Sequence, residues 1–338
     1  MSKSQFPVKD ISFIIPTRSE LLPEDALKAI SQLNYPQARI EVIVVSGRSP
    51  SLQRNEAALK ATGELLYFLD DDSIIDSDAL KSSIPNFSGA EIAAVGGPAL
   101  TCSDASWLEN AFGSAIASWF GTGPTRARGR ALGGVREVRG EELILCNLLI
   151  RREVLLGCSG FNVRLYPNEE NELLKRLRKN GHRFLYDPGM VVRRPRRKVI
   201  SEFIRQMMFY GWGRAQHIFT NFDSKDLIFF IPPAFIVYLA LLPTLMLEFS
   251  SEIQGLALLP LGLYLVLTVA ASGKAALRQR RPSLLFSLPV IFPLMHLAYG
   301  LGLIVGLFGW RRESKGDPDF VSAKLVKSFT AEPERVAV

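Results

Sequence analysis

The sequence predicts an α/β domain on a mostly parallel sheet, followed by α-helical membrane segments. Three observations predict it. Between Ile11 and about Tyr186, short apolar runs alternate with helical patterns, as in a sheet with helices on both faces. After residue 226 come three apolar stretches, each long enough to cross a hydrocarbon core of about 30 Å. With 338 residues, 48% apolar and 22% charged, the chain has room for two domains and is neither a disordered tail nor a fibre.

Residues 11–15, 40–45, 65–69 and 92–95 are near-continuous apolar runs, as expected of strands buried on both faces. Leu22, Ala26, Ile30 and Leu33 fall at helical spacing and predict a crossover helix between the first two. Residues 51–61 predict a second helix, stopped by Gly63, so the third strand returns parallel to the second. In such a sheet the loops at the carboxyl ends of the strands, here after Ile15, Val45 and Leu69, converge on one ligand crevice. Residues 121–140, rich in glycine and carrying Arg126, Arg128, Arg130, Arg136 and Arg139, predict a mobile basic loop. They lack GxxxxGK[ST], so no P-loop is expected. A helix over 168–180, with Leu173, Leu174 and Leu177 on one side, ends at Gly181.

Residues 199–226 place Ile200, Phe203, Ile204, Met207 and Met208 on one face, a pattern that fits a helix in the membrane interface. An ordinary core helix has the same pattern. The membrane segments are 227–247, 253–271 and 284–309; the last is broken by Pro289 and Pro293 and holds His296, an ionisable group that needs a partner at that depth. The organisation is therefore a domain over 1–198, the interface helix 199–226, membrane segments within 227–310 and a tail over 311–338. The net charge is +7, and much of it falls in the tracts 193–198 and 274–281 beside apolar spans. Such tracts mark the cytoplasmic side, so a multi-pass inner-membrane protein with a cytoplasmic domain is expected, and no nucleic acid partner. If the last stretch spans once, the tail with Arg311 and Arg312 ends outside; a re-entrant pair of helices around its prolines keeps it inside, and is favoured. Cys102, Cys146 and Cys158 have no metal-ligand spacing and read as reduced thiols without structural zinc. Residues 1–7 contain no apolar run, so no secretory signal is expected there.

Asp70-Asp71-Asp72 follows the third strand directly, so carboxylates emerge where a parallel sheet places its ligand. Clustered carboxylates repel unless a cation sits among them, and hard oxygen ligands beside phosphate suit Mg²⁺ or Mn²⁺. Capping of the next helix is the other role open to an Asp run after a strand.

From the first strand to about Val192 the sequence resembles the family 2 glycosyltransferases, whose fold is GT-A, a Rossmann-like α/β architecture. Pro16-Thr17-Arg18-Ser19-Glu20 is similar to that family's nucleotide loop, and Arg54-Asn55-Glu56-Ala57-Ala58 to the helix that leads into its DxD strand, here ending at Asp70-Asp71-Asp72. The resemblance implies a nucleotide-sugar donor, UDP- or GDP-linked, met by Pro16, Thr17, Glu20, Ser46, Arg54, Asp70 and Asp71, with Asp72 holding the metal. Ser46 stands where the family usually has an Asp, which leaves the base open. Asn168-Glu169-Glu170-Asn171-Glu172-Leu173 falls on the family's catalytic-base motif, so Glu170 is the implied general base with Glu169 beside it. Cys146-Asn147 through Val154, with Gly160-Phe161, is similar to the floor of the acceptor site, which implicates Asn147. Gln206, Tyr210, Trp212 and Arg214 resemble the corresponding stretch of membrane-bound transferases of the succinoglycan-biosynthesis type, which act on a lipid-linked acceptor. Processive polymerisation is not supported, since Phe209-Tyr210 stands where polymerising synthases have Arg-Trp.

The chemistry explains these residue types. A departing nucleoside diphosphate gathers negative charge that a divalent cation and arginines stabilise, while a carboxylate takes the proton of the attacking hydroxyl. One base opposite the leaving group gives a single displacement with inversion. The expected function is inverting, metal-dependent sugar transfer from a nucleotide-diphosphate donor to a polyprenyl-linked acceptor. A synthase charging polyprenyl phosphate with one sugar and an inactive nucleotide-binding scaffold are the alternatives.

Overall fold

The computed structural model describes residues 8–309 and 321–329. Residues 1–7, Arg311 and Arg312, and the expectations drawn from them, lie outside the described residues. The described residues form two compact units, one of 8–102, 127–195 and 321–329, the other of 103–126 and 196–309.

In the first unit β1 (Ile11–Thr17), α1 (Glu24–Ser31), β2 (Ile40–Ser46), α2 (Pro50–Lys60) and β3 (Leu65–Leu69) make the parallel heart that the apolar runs predict. They are followed by β4 (Ile74–Ile75), α3 (Ala79–Ser83), β5 (Ile92–Gly96) and β6 (Ala99–Thr101). After α4 (Trp107–Ile116) and α5 (Trp119–Thr122) of the second unit, the chain returns for β7 (Arg136–Val138), β8 (Asn147–Arg151), α6 (Arg152–Gly157), α7 (Glu169–Lys179), β9 (Arg183–Tyr186) and β10 (Val192–Arg194). Then come α8 (Ile200–Asn221), α9 (Ile231–Glu248), α10 (Ser251–Gln279) and α11 (Leu284–Leu307) of the second unit, and β11 (Ser322–Lys327) of the first.

The strands are apolar throughout because they feed two cores in alternation. Ile11, Phe13 and Ile15 enter one, where Phe13 stacks on Tyr67 with ring centres 4.7 Å apart; Ile14, Leu66 and Phe68 enter the other with Ala57, Leu173 and Phe184. Each such side chain contributes roughly 1.5–3 kcal/mol by leaving water.

The main sheet runs β11-β2-β1-β3-β8-β5-β9-β7 and is mixed rather than mostly parallel. β8 lies antiparallel between β3 and β5, and β7 and β11 are antiparallel at the two edges. A second sheet, β4-β10-β6, stands beside it.

Two expectations are corrected here. Residues 127–140 are fastened rather than a mobile loop: Tyr186 donates to the carbonyls of Ala127 and Arg130, and the Arg136 guanidinium lies 4.4 Å over the Tyr186 ring. Part of the tail over 311–338 is a strand, β11, which pairs with β2 from Ser322 opposite Ser46 onward.

In the second unit three helices, over Ser224–Glu248, Ser251–Gln279 and Leu284–Leu307, are long and apolar enough to cross a membrane. α8, expected in the interface, packs along α11 through glycine. A Cβ on Gly211 would stand 2.0 Å from the Tyr299 carbonyl oxygen, and one on Gly302 equally close to that of Met208. Such small residues let two backbones meet. Phe112, Phe203, Met207, Leu288 and Phe292 fill the core of this unit.

Candidate active site

The parallel register sets Thr17 opposite Ser46, with β3 on the other side of β1, so the three loops meet at one edge. Gln53 of α2 ties two strand ends together, donating from Nε2 to the carbonyls of Thr17 (2.9 Å) and Val45 (2.5 Å). The Ser46 hydroxyl donates to the Ser19 carbonyl at 3.1 Å. A cleft of about 310 Å³ opens here, lined by Thr17, Ser19, Leu21, Leu22, Pro23, Asp71 and Asp72. That is within the size range of small-molecule sites.

A ladder of alternating charge runs from this cleft to the first turn of α7. Asp72 Oδ2 accepts from Arg194 Nη2 at 3.1 Å, and Arg194 Nη1 donates to Asp70 Oδ2 at 3.0 Å. Asp70 Oδ1 accepts from Arg54 Nη2 at 3.2 Å, and Arg54 Nη1 donates to Glu169 Oε1 at 3.0 Å. Arg54 is 5% exposed, and its Nε has no partner among the described residues. Burial pushes the Glu169 carboxyl up to about 7, against the pull of Arg54 and with the help of neighbouring Glu170. Burial raises the Asp71 carboxyl above its ordinary range, with the Thr17 hydroxyl pulling it back.

Glu170, one residue on, meets a different set of partners. Its Oε1 accepts from Arg128 Nη1 at 3.0 Å and from Asn171 Nδ2 at 3.2 Å, while Arg128 Nη2 donates to Asn171 Oδ1 at 2.7 Å. Both carboxylates open α7, where the helix N-terminus favours negative charge.

The donor set fits a divalent cation. Two carboxylate oxygens, one from Asp70 and one from Asp72, already converge on a single guanidinium. Among the described residues no cluster of three His, Cys, Asp or Glu forms a closed metal cage. Two protein oxygens with the remaining positions left to water and phosphate is the habit of Mg²⁺.

Of the residues singled out from sequence, Thr17, Ser46, Arg54, Asp70, Asp71, Asp72, Glu169 and Glu170 gather in this unit around the cleft and the ladder. Pro16 lies within β1 opposite Val45, and Glu20 is exposed beyond it. Asn147 is fully buried, its Nδ2 donating to the carbonyls of Pro98 and Met190 and its Oδ1 accepting from Tyr67. Arg214 is buried in the second unit, 4.0 Å from Asp226 and over the Phe229 ring. Gln206 donates to the Tyr210 hydroxyl at 3.0 Å and Trp212 stacks on Phe209, both on α8. His296 has the partners it needs: Tyr264 Oη at 2.9 Å and the Phe120 carbonyl at 3.0 Å.

Sequence reasoning missed Arg194 and Gln53. Arg194 stands in the tract read as a membrane marker, of which Arg193 also pairs with a carboxylate, 3.6 Å from Asp76. The available signal was Val192 among these arginines, an apolar residue in a short strand.

A model of the family described as "Glycosyltransferase like family 2" matches residues 18–209. Among solved structures, the mannosyltransferase PcManGT from Pyrobaculum calidifontis, in complex with GDP-Man and Mn²⁺, is similar at 17% identity. The match covers 91% of this chain and 89% of that one, with a TM-score of 0.58. TarS of S. aureus, residues 1–349 in complex with UDP, is similar at 14% identity, covering 89% of this chain and 93% of that one, with a TM-score of 0.41. No curated protein sequence matches.

Proposed function

The chain belongs to the glycosyltransferase family 2 and has its GT-A fold, and we propose that it is an inverting transferase moving a sugar from a nucleotide-diphosphate donor to a lipid-linked, polyprenyl acceptor in glycan assembly. The observation that carries this reading is the charge ladder Asp72–Arg194–Asp70–Arg54–Glu169, which joins the cleft carboxylates to the turn that bears Glu170.

The donor lies in the cleft between the β1 loop and Asp71-Asp72. Asp70 and Asp72 would hold a Mg²⁺ or Mn²⁺, which when bound would supply charge stabilisation for the departing diphosphate. Glu170 takes the proton of the attacking hydroxyl. Arg128 and Asn171 both hold Oε1, which fixes the carboxylate and leaves Oε2 for this task. The apolar helices of the second unit suit an acceptor carried by lipid.

The grip of Arg128 on Glu170 favours a second reading, synthesis of a polyprenyl-phosphate sugar. A phosphate acceptor has no proton to lose at neutral pH, so this ion pair can stay closed through the reaction. The test is to incubate membranes holding the chain with a panel of radiolabelled UDP- and GDP-sugars, with and without Mn²⁺, and to extract the lipid. Label from one donor, dependent on the cation, is expected; mild-acid release of that label as free sugar selects the second reading. No label from any donor, with nucleotide still bound by the purified chain, contradicts transfer and leaves a scaffold.

A further inference from the structure

Three successive carboxylates need a counter-charge when no ligand is present. In this fold the guanidinium of Arg194 provides it. Its two Nη atoms reach Asp70 Oδ2 at 3.0 Å and Asp72 Oδ2 at 3.1 Å, the fork geometry that suits carboxylates. Arg194 comes from β10, whose backbone is fixed between two strands: Val192 pairs with Ile75 of β4, and Arg194 with Thr101 of β6. The side chain is a quarter exposed, so it has solvent to swing into. The other oxygen of Asp70 is held by Arg54, so this carboxylate keeps its aim when Arg194 leaves.

A divalent ion bound about 2.1 Å from the same two oxygens overlaps a guanidinium that stands at hydrogen-bond distance from both. The two cations exclude each other. We propose that Arg194 is the resident cation of the Asp70–Asp72 pair, exchanged for the divalent ion on donor binding and released toward the incoming diphosphate. This rests on the glycosyltransferase reading of the cleft. It makes metal binding weak without nucleotide and strong with it, since the displaced charge finds a new anion only when the diphosphate is present.

The test is Mn²⁺ titration of the detergent-solubilised full-length chain, following the EPR signal of free Mn²⁺, alone and with UDP or GDP. Arg194→Gln is expected to tighten Mn²⁺ binding in the absence of nucleotide by roughly tenfold or more, and to shrink the tightening that nucleotide brings. Arg194→Lys keeps the charge but loses the fork, and should fall between the two if Arg194→Gln does not fold. Arg193→Gln removes an equal charge from Asp76 instead, and should change the affinity by less than about twofold. Equal affinities in wild type, Arg194→Gln and Arg194→Lys, with binding abolished by Asp72→Asn, overturn the exchange and leave the metal site standing. A fall in affinity in Arg194→Gln, or a gain matched by Arg193→Gln, also overturns it. No Mn²⁺ bound by any of these proteins, with or without nucleotide, overturns both the exchange and the metal site.

Discussion

Glu169 and Glu170 are neighbours in sequence with different surroundings. Burial holds Glu169 up to about 7, well above its ordinary 4.5. Between those values the folded chain keeps a proton that the unfolded chain has lost, so this residue's contribution is full below pH 4.5 and fades as pH rises through 7. The effect is on the order of 3 kcal/mol at most. Glu169→Gln mimics the protonated form, so its melting temperature should match the wild type near pH 5 and exceed it near pH 8. A variant less stable at pH 8 than the wild type means instead that the ionised pair with Arg54 dominates. The Asp run was legible in sequence because it stands at a strand end that local patterning marks, and both glutamates only through the family resemblance. Arg194 was not, since it reaches Asp72 across 122 residues and only the sheet pairing brings them together.

The parallel strands β1, β2 and β3 and their crossover helices were legible because each is a complete local pattern. β8 and β11 were not: an apolar run states that it is buried, but not which strand it joins, and β11 pairs with β2 across most of the chain. The contact of α8 with α11 was hidden similarly, in glycines that could equally have been kinks. It makes a direct prediction. Gly211→Ala puts a methyl about 2.0 Å from the Tyr299 carbonyl and should cost about 1–3 kcal/mol, read as a fall in melting temperature in detergent. Gly255→Ala, whose added carbon meets nothing, should be harmless. Equal melting temperatures for the two variants contradict this packing.

The return of β11 to the sheet bears on membrane topology. Three crossings would put β11 on the opposite side from β2, its partner, so an even number of crossings between them is the expected outcome. Of the three, α11 is the one expected not to cross, for 44% of its apolar window is buried within the protein, against 6% for each of the other two. Epitope tags at the two ends of the chain should therefore be cut by protease in the same vesicle orientation; cleavage in opposite orientations contradicts an even count. The apolar spans were readable from hydropathy, whereas the place of 103–126 in the second unit and this parity were not, since they depend on packing and strand pairing. The most direct measurement of the account as a whole is single-turnover transfer by Glu170→Gln, alongside its donor affinity. The account predicts turnover lower by roughly 10² or more with the affinity unchanged, as loss of a general base requires. Near-normal turnover contradicts it.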